Sequence, residues 1–245
     1  MLEKHKNDQF DIIIQGGQSN AEGCGLGPIG EFHVPSANVL YMNNDFTIKI
    51  AEERVNENEQ KVNEFSLSFC GEYIKKGRLK DGRKLLVLRC AIGGTGWVDK
   101  RWGMNDDLYL KMMAMIKSAL ELNPGNKLVA FLWHQGENDC GSPYEVHYNH
   151  LKELVESVRT AYNCPNLPFI AGDFVNEWKT ILFEHCKEIS RAIKDVCNNI
   201  GHAGFVETEG LSSNSQAMGN ADTIHFSREA LRLMGIRYFG VFENI

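Results

Sequence analysis

A chain of 245 residues with 43% hydrophobic and 24% charged residues and only six prolines has a globular composition, which excludes a disordered or low-complexity polymer. Its 26 basic against 32 acidic residues give a net charge of −6, the wrong sign for a nucleic-acid footprint. The longest clean apolar run, residues 128–133, is too short to span a bilayer, so no membrane association is expected.

The first residues carry no apolar targeting segment, and the seven cysteines are odd in number with no C-x-x-C pair. Reduced thiols and a cytoplasmic location are therefore expected. Residues 10–15, rich in isoleucine, read as a first strand that ends in Gly16-Gly17. Residues 38–42 form a second short strand. Between them and beyond, residues 23–62 are polar and at first glycine-rich, and are expected to cover the sheet edge as an insertion. Residues 65–79 place Phe65, Phe69, Tyr73 and Ile74 at helical spacing.

Residues 84–91 then form a nearly continuous apolar run, as in a strand buried on both faces. A helix over 107–122 lines up Leu108, Met112, Met115, Ile116 and Ala119 and is closed by Asn123-Pro124-Gly125. A second buried strand comes next over 127–134, then a helix over 143–162 with Pro143 at its start. Residues 168–173 and 204–208 read as strands, 177–198 as a helix and 227–242 as the closing helix. Strand and helix alternate throughout, which predicts one α/β domain over residues 1–245, a mainly parallel sheet between two helical layers.

Ligands of such sheets bind beyond the carboxyl ends of the strands. Four loops fall there: residues 16–23, 92–97, 135–139 and 222–225. Ser19, on the turn out of the first strand, is a candidate nucleophile that needs a histidine base and an acid to orient it. Of the eight histidines, only His225 has Asp three positions before it, Asp222. By itself D-x-x-H also suits a capping Asp and a surface His. Gly93 and Gly94, which lack a Cβ, and the Gln135 amide are candidate donors to an oxyanion; a plain turn and a strand-end surface residue are the alternatives.

Other patterns carry less. Gly17-Gln18-Ser19-Asn20-Ala21 is one residue from a nucleophile elbow, but it comes after the first strand with no oxyanion loop upstream. The loop over residues 16–23 matches neither phosphate-loop pattern. Glu137 and Asp139 stand too close in sequence for a glycosidase pair, and Glu137 is expected to hold its loop by hydrogen bonding. Cys140, His147 and His150 form a loose constellation read as a solvated helix face rather than a metal site. Trp97, Trp102 and Trp178 offer flat faces to a sugar or, equally, to the core.

The ordered set Gly17-Gln18-Ser19-Asn20, Gly93-Gly94-Thr95 with Trp97 nearby, Gln135-Gly136-Glu137 and Asp222-x-x-His225 resembles the SGNH hydrolase superfamily, within it the carbohydrate esterase family 6 and sialate O-acetylesterase-like (acetylxylan esterase-related) branch. The resemblance covers residues 12–226. It implies a three-layer α/β/α sandwich and hydrolysis of O-acetyl esters on carbohydrates, with Ser19 as nucleophile, His225 as base and acid, and Asp222 orienting it. It also implies an oxyanion hole from the Ser19 N–H, a Gly93 or Gly94 N–H and the Gln135 side chain. Gln18, Asn20, Thr95, Trp97 and Glu137 would support the site or bind substrate. No metal or organic cofactor is implied; the partner would be a small acetylated carbohydrate. Where many relatives carry Met after Gly-Gln-Ser-Asn, this chain has Ala21. Hydrolysis of a non-sugar acyl ester or thioester, or carbohydrate binding without catalysis, are the competing readings.

Overall fold

The computed structural model describes residues 2–28 and 36–245. After a short 3-10 turn at Leu2–His5, the elements run β1 (Gln9–Gly17), α1 (Ser19–Glu22), β2 (Val39–Met42), β3 (Ile48–Ile50), β4 (Arg54–Val55), β5 (Lys61–Val62), α2 (Ser66–Lys75) and β6 (Arg83–Arg89). Then come α3 (Asp107–Glu121), β7 (Lys127–His134), α4 (Tyr144–Ala161), β8 (Phe169–Gly172), α5 (Asn176–Ile181), α6 (Phe183–Asn199), β9 (Ala203–Val206), α7 (Asn214–Met218) and α8 (Arg228–Phe242).

Seven strands make one sheet in the order β3-β2-β6-β1-β7-β8-β9. Every pairing is parallel except that of β2 with the edge strand β3. Helices α2 and α8 pack together on one face, and α3, α4 and α6 cover the other. The expected α/β/α sandwich with a mainly parallel sheet is what forms. β1 lies at its centre because Phe10, Ile12, Ile13 and Ile14 are apolar on both faces, and all four are wholly buried. Each such side chain contributes roughly 1.5–3 kcal/mol. The one charge on this strand, Asp11, accepts from Arg83 Nε at 2.7 Å and Tyr73 Oη at 3.0 Å, which offsets its desolvation.

The chain leaves β1 toward β6 on one side and later returns to β7 on the other, so the end of β1 is the switch point where parallel sheets open a crevice.

The sequence expectations need three corrections. Residues 29–35 lie outside the described residues, and the described remainder of 23–62 extends the sheet rather than covering its edge. β3 is itself the edge strand, and β4 and β5 form a separate two-stranded hairpin. The single helix expected over 177–198 is two, α5 and α6, meeting at Leu182, where the backbone turns to φ −110° and ψ 32° with no glycine or proline to mark it. The short helices α1 and α7 add to the expected elements. All seven cysteines are unpaired, and no helix among the described residues is long and apolar enough to cross a membrane.

Candidate active site

The site begins at the end of β1. Gly17 has φ 129°, and a Cβ there would lie 2.0 Å from the His134 carbonyl oxygen, so only glycine lets β1 run this close to the end of β7. The next residue, Gln18, donates its N–H to that same oxygen at 3.0 Å, and Ile92 N–H donates to Gly17 O at 3.1 Å. The ends of β1, β6 and β7 are thereby stitched together, and Ser19 is lifted onto the first turn of α1.

The partner of Ser19 lies 206 residues away. His225 Nε2 is 2.9 Å from Ser19 Oγ, and His225 Nδ1 is 3.0 and 2.9 Å from the two oxygens of Asp222. Burial works to raise the Asp222 carboxyl, but hydrogen bonds from His225 and from Asn214 Nδ2 (2.9 Å) outweigh it and hold the group below the ordinary aspartate range. An ionised Asp222 fixes the imidazole with Nδ1–H toward itself and leaves Nε2 free to accept the Ser19 proton. Both Asp222 and His225 side chains are about one-quarter exposed, so the cluster is open to solvent.

Two buried amides hold the His225 loop in place. Asn20 accepts from Phe226 N–H at 3.0 Å and donates to Ile224 O at 3.1 Å, gripping the backbone on both sides of His225. Asn214 reaches from Asp222 to Cys24 O (3.1 Å) and accepts from Leu26 N–H (2.8 Å). Sequence reasoning does not single out Asn214; the one signal for it is the capping pattern Ser213-x-x-Gln216 that starts α7.

Opposite Ser19 stands Gly93, where a Cβ would lie 3.4 Å from Ser19 Cβ. Its N–H, however, donates to Glu22 Oε2 at 2.7 Å, and Glu22 Oε1 accepts from Arg54 Nη1 at 2.7 Å. Gly94 sits in the left-handed region at φ 66° and is exposed. The Ser19 amide, first in α1, has no acceptor within its helix.

A family profile described as carbohydrate esterase, sialic acid-specific acetylesterase, matches residues 9–243. The chain belongs to that family. A protein of Escherichia coli (strain K12) described as a probable 9-O-acetyl-N-acetylneuraminic acid deacetylase is 27% identical over 126 residues, which cover 41% of this chain and 39% of that relative. The chain thus matches less than half the length of this curated relative. Among solved structures, a protein from Arabidopsis thaliana superposes with a TM-score of 0.78 at 20% identity, covering 97% of this chain and 98% of that one. NanS superposes with a TM-score of 0.77 at 19% identity over the same shares. These two share the fold.

Against the roles that family membership suggests, several residues stand elsewhere than expected. Gln135 is wholly buried, and its Nε2 donates to Asp139 Oδ2 (2.7 Å) and Thr95 O (3.2 Å), so both amide hydrogens are spent inside the loop rather than offered to an oxyanion. The Gly93 N–H is occupied by Glu22. Thr95 is buried, donating to Ile92 O and accepting from Trp102 Nε1. Trp97 is packed between Trp133, His147 and His150 rather than presented to solvent. Trp102 and Trp178 are likewise buried. Gln18 is buried and acts here through its backbone.

Glu137 accepts from Asn20 Nδ2 at 2.8 Å, the loop-holding contact expected of it, while Asp139 turns to Gln135 and to the N–H groups of Trp97 and Val98. The two carboxylates do not face a common substrate position. Cys140, His147 and His150 do not converge either; among the described residues no three His, Cys, Asp or Glu side chains could share a metal ion.

Proposed function

We propose that this chain hydrolyses O-acetyl esters of carbohydrates through an acetyl-enzyme on Ser19. The observation that carries the reading is the unbroken relay from Ser19 Oγ through His225 to Asp222, each link between 2.9 and 3.0 Å. His225 Nε2 takes the hydroxyl proton as Oγ attacks the acetyl carbon, and returns it to the departing sugar oxygen. A water then attacks the acetyl group, gives its proton to His225, and releases acetate and free Ser19. The Ser19 and Gly94 amides, together with Gly93 once its N–H is released, supply donors for the oxyanion.

The family description and the name of the E. coli relative support acetylated sialic acids as the sugar. The test is acetate release from O-acetylated sialic acids and from neutral acetylated sugars, comparing the natural chain with Ser19→Ala. Release that disappears in Ser19→Ala is expected. Release that persists in the variant, or none from any acetylated sugar by the natural chain, would overturn the reading.

A further inference from the structure

The Glu22 carboxylate occupies the Gly93 N–H, one of the donors proposed for the oxyanion. Gly93 N–H donates to Glu22 Oε2, and a Cβ on Gly93 would touch both that oxygen, at 3.2 Å, and Ser19 Cβ, at 3.4 Å. A negative charge on this donor opposes the charge that develops on an acyl oxygen, so Glu22 has to leave before the reaction proceeds. When it leaves, Arg54 loses its carboxylate partner and keeps the Gly23 carbonyl oxygen, to which Nη2 donates at 2.6 Å.

The surroundings of Arg54 say what would replace Glu22. Arg54 and Arg89 are shared by two adjoining clefts of about 360 and 290 Å³, the larger also lined by Lys49 and Lys61. Of the acidic side chains in the larger cleft, Glu53 is already bound by Arg228 through both guanidinium nitrogens. Glu52 and, in the smaller cleft, Asp45 and Glu22 stand among these cations, so the walls are mixed in charge and an anion's place on Arg54 is marked by the Glu22 ion pair itself. Arg54 and the Gly93 donor are separated by one carboxylate, bridged at 2.7 Å on each side.

We propose that Arg54 forms a carboxylate subsite for the substrate and that Glu22 is its resting occupant. An acyl ester that carries its own carboxylate exchanges one anion for another on Arg54, so freeing the Gly93 donor costs it little. A neutral ester has to break the Glu22–Arg54 pair without replacing it. The pair thereby sets specificity by penalising the wrong ligand, and the Arg fork suits a planar carboxylate. This inference rests on the esterase reading for its kinetic consequence, though not for the binding.

The experiment compares an O-acetylated sugar acid with its methyl ester, which masks the charge, on the natural chain, Glu22→Ala and Arg54→Gln. The natural chain should favour the acid in kcat/KM. Arg54→Gln should shrink that preference about tenfold or more, mainly by raising KM for the acid. Glu22→Ala should narrow it from the other side, by raising kcat/KM for the methyl ester. Calorimetric titration of the deacetylated sugar acid reads the subsite without chemistry and should show weaker binding to Arg54→Gln. Equal rates on acid and ester, or binding indifferent to Arg54, would overturn the subsite even in an active esterase. Arg54-dependent binding with no hydrolysis of any ester would instead overturn the esterase reading and leave the subsite standing.

Discussion

Asn20 Nδ2 and Glu137 Oε1, 117 residues apart in the chain, meet in a buried hydrogen bond of 2.8 Å. It joins the turn that carries Ser19 to the loop after β7. Through its other contacts Asn20 also holds the backbone either side of His225. One side chain thereby sets the spacing between Ser19 and His225, the proposed nucleophile and base, without touching either side chain. Replacing Asn20 with Ala leaves the Phe226 N–H without its acceptor and a buried Glu137 oxygen with only His134 Nε2, 3.5 Å away. The expected cost is about 2–4 kcal/mol in chemical denaturation, with kcat reduced at least about tenfold and KM little changed. A variant of natural kcat would remove Asn20 from this role.

Asp222→Asn should test the tautomer argument. The isosteric amide keeps the contact but no longer fixes Nδ1–H toward residue 222, so Nε2 loses its claim as acceptor. By analogy with established Ser-His-Asp sites, kcat on an aryl acetate should fall by about 10³–10⁴ with the fold intact. A loss under tenfold in steady-state kinetics would contradict the role.

Glu64 concerns stability rather than chemistry. Its buried carboxylate accepts from Gln15 Nε2, Tyr41 Oη, Ser66 N–H, Ser66 Oγ and Leu67 N–H, so both oxygens face donors only. Glu64→Gln turns a donor toward donors and should cost about 1–3 kcal/mol in urea denaturation. Unchanged stability would show that a protonated or rearranged network serves as well.

His147 should make the protein acid-sensitive. Burial first, and the neighbouring His150 second, push its imidazole from 6.5 down to about 3, with Glu137 opposing weakly. The nearest carboxylate oxygen, on Asp139 at 3.7 Å, already accepts from Gln135 and from Trp97 N–H. Between those two values the unfolded chain binds a proton that the folded one refuses, so stability is full above about pH 6.5 and falls as the pH drops toward 3. Both ring nitrogens lack hydrogen-bond partners, so His147→Phe should remove about 2 kcal/mol of the loss between about pH 7 and pH 5. Thermal melts at both pH values check this; an identical loss in both proteins would contradict it.

The sheet and the loops at its end were legible because buried strands such as β1 and β7 announce themselves as apolar runs, and the loop leaving a parallel strand sits at its carboxyl end. Ser19, Asp222 and His225 could be proposed from residue type. Glu22 could not, since its contact with Gly93 spans 71 residues and depends on the end of α1 lying beside the loop that follows β6. The Gln135 amide is hidden for a related reason. It looks available in the sequence, but the 3-10 turn over Glu137–Asp139 folds Asp139 beneath it. The junction at Leu182 has no glycine or proline and so no local signal in the sequence.

The chemistry turns on whether His225 activates Ser19. An organofluorophosphate phosphorylates only an activated serine, so peptide mapping of the labelled chain by mass spectrometry asks the question directly. One adduct per chain is expected, on Ser19, and lost in His225→Ala. Labelling of another residue, or of Ser19 equally fast without His225, would contradict it.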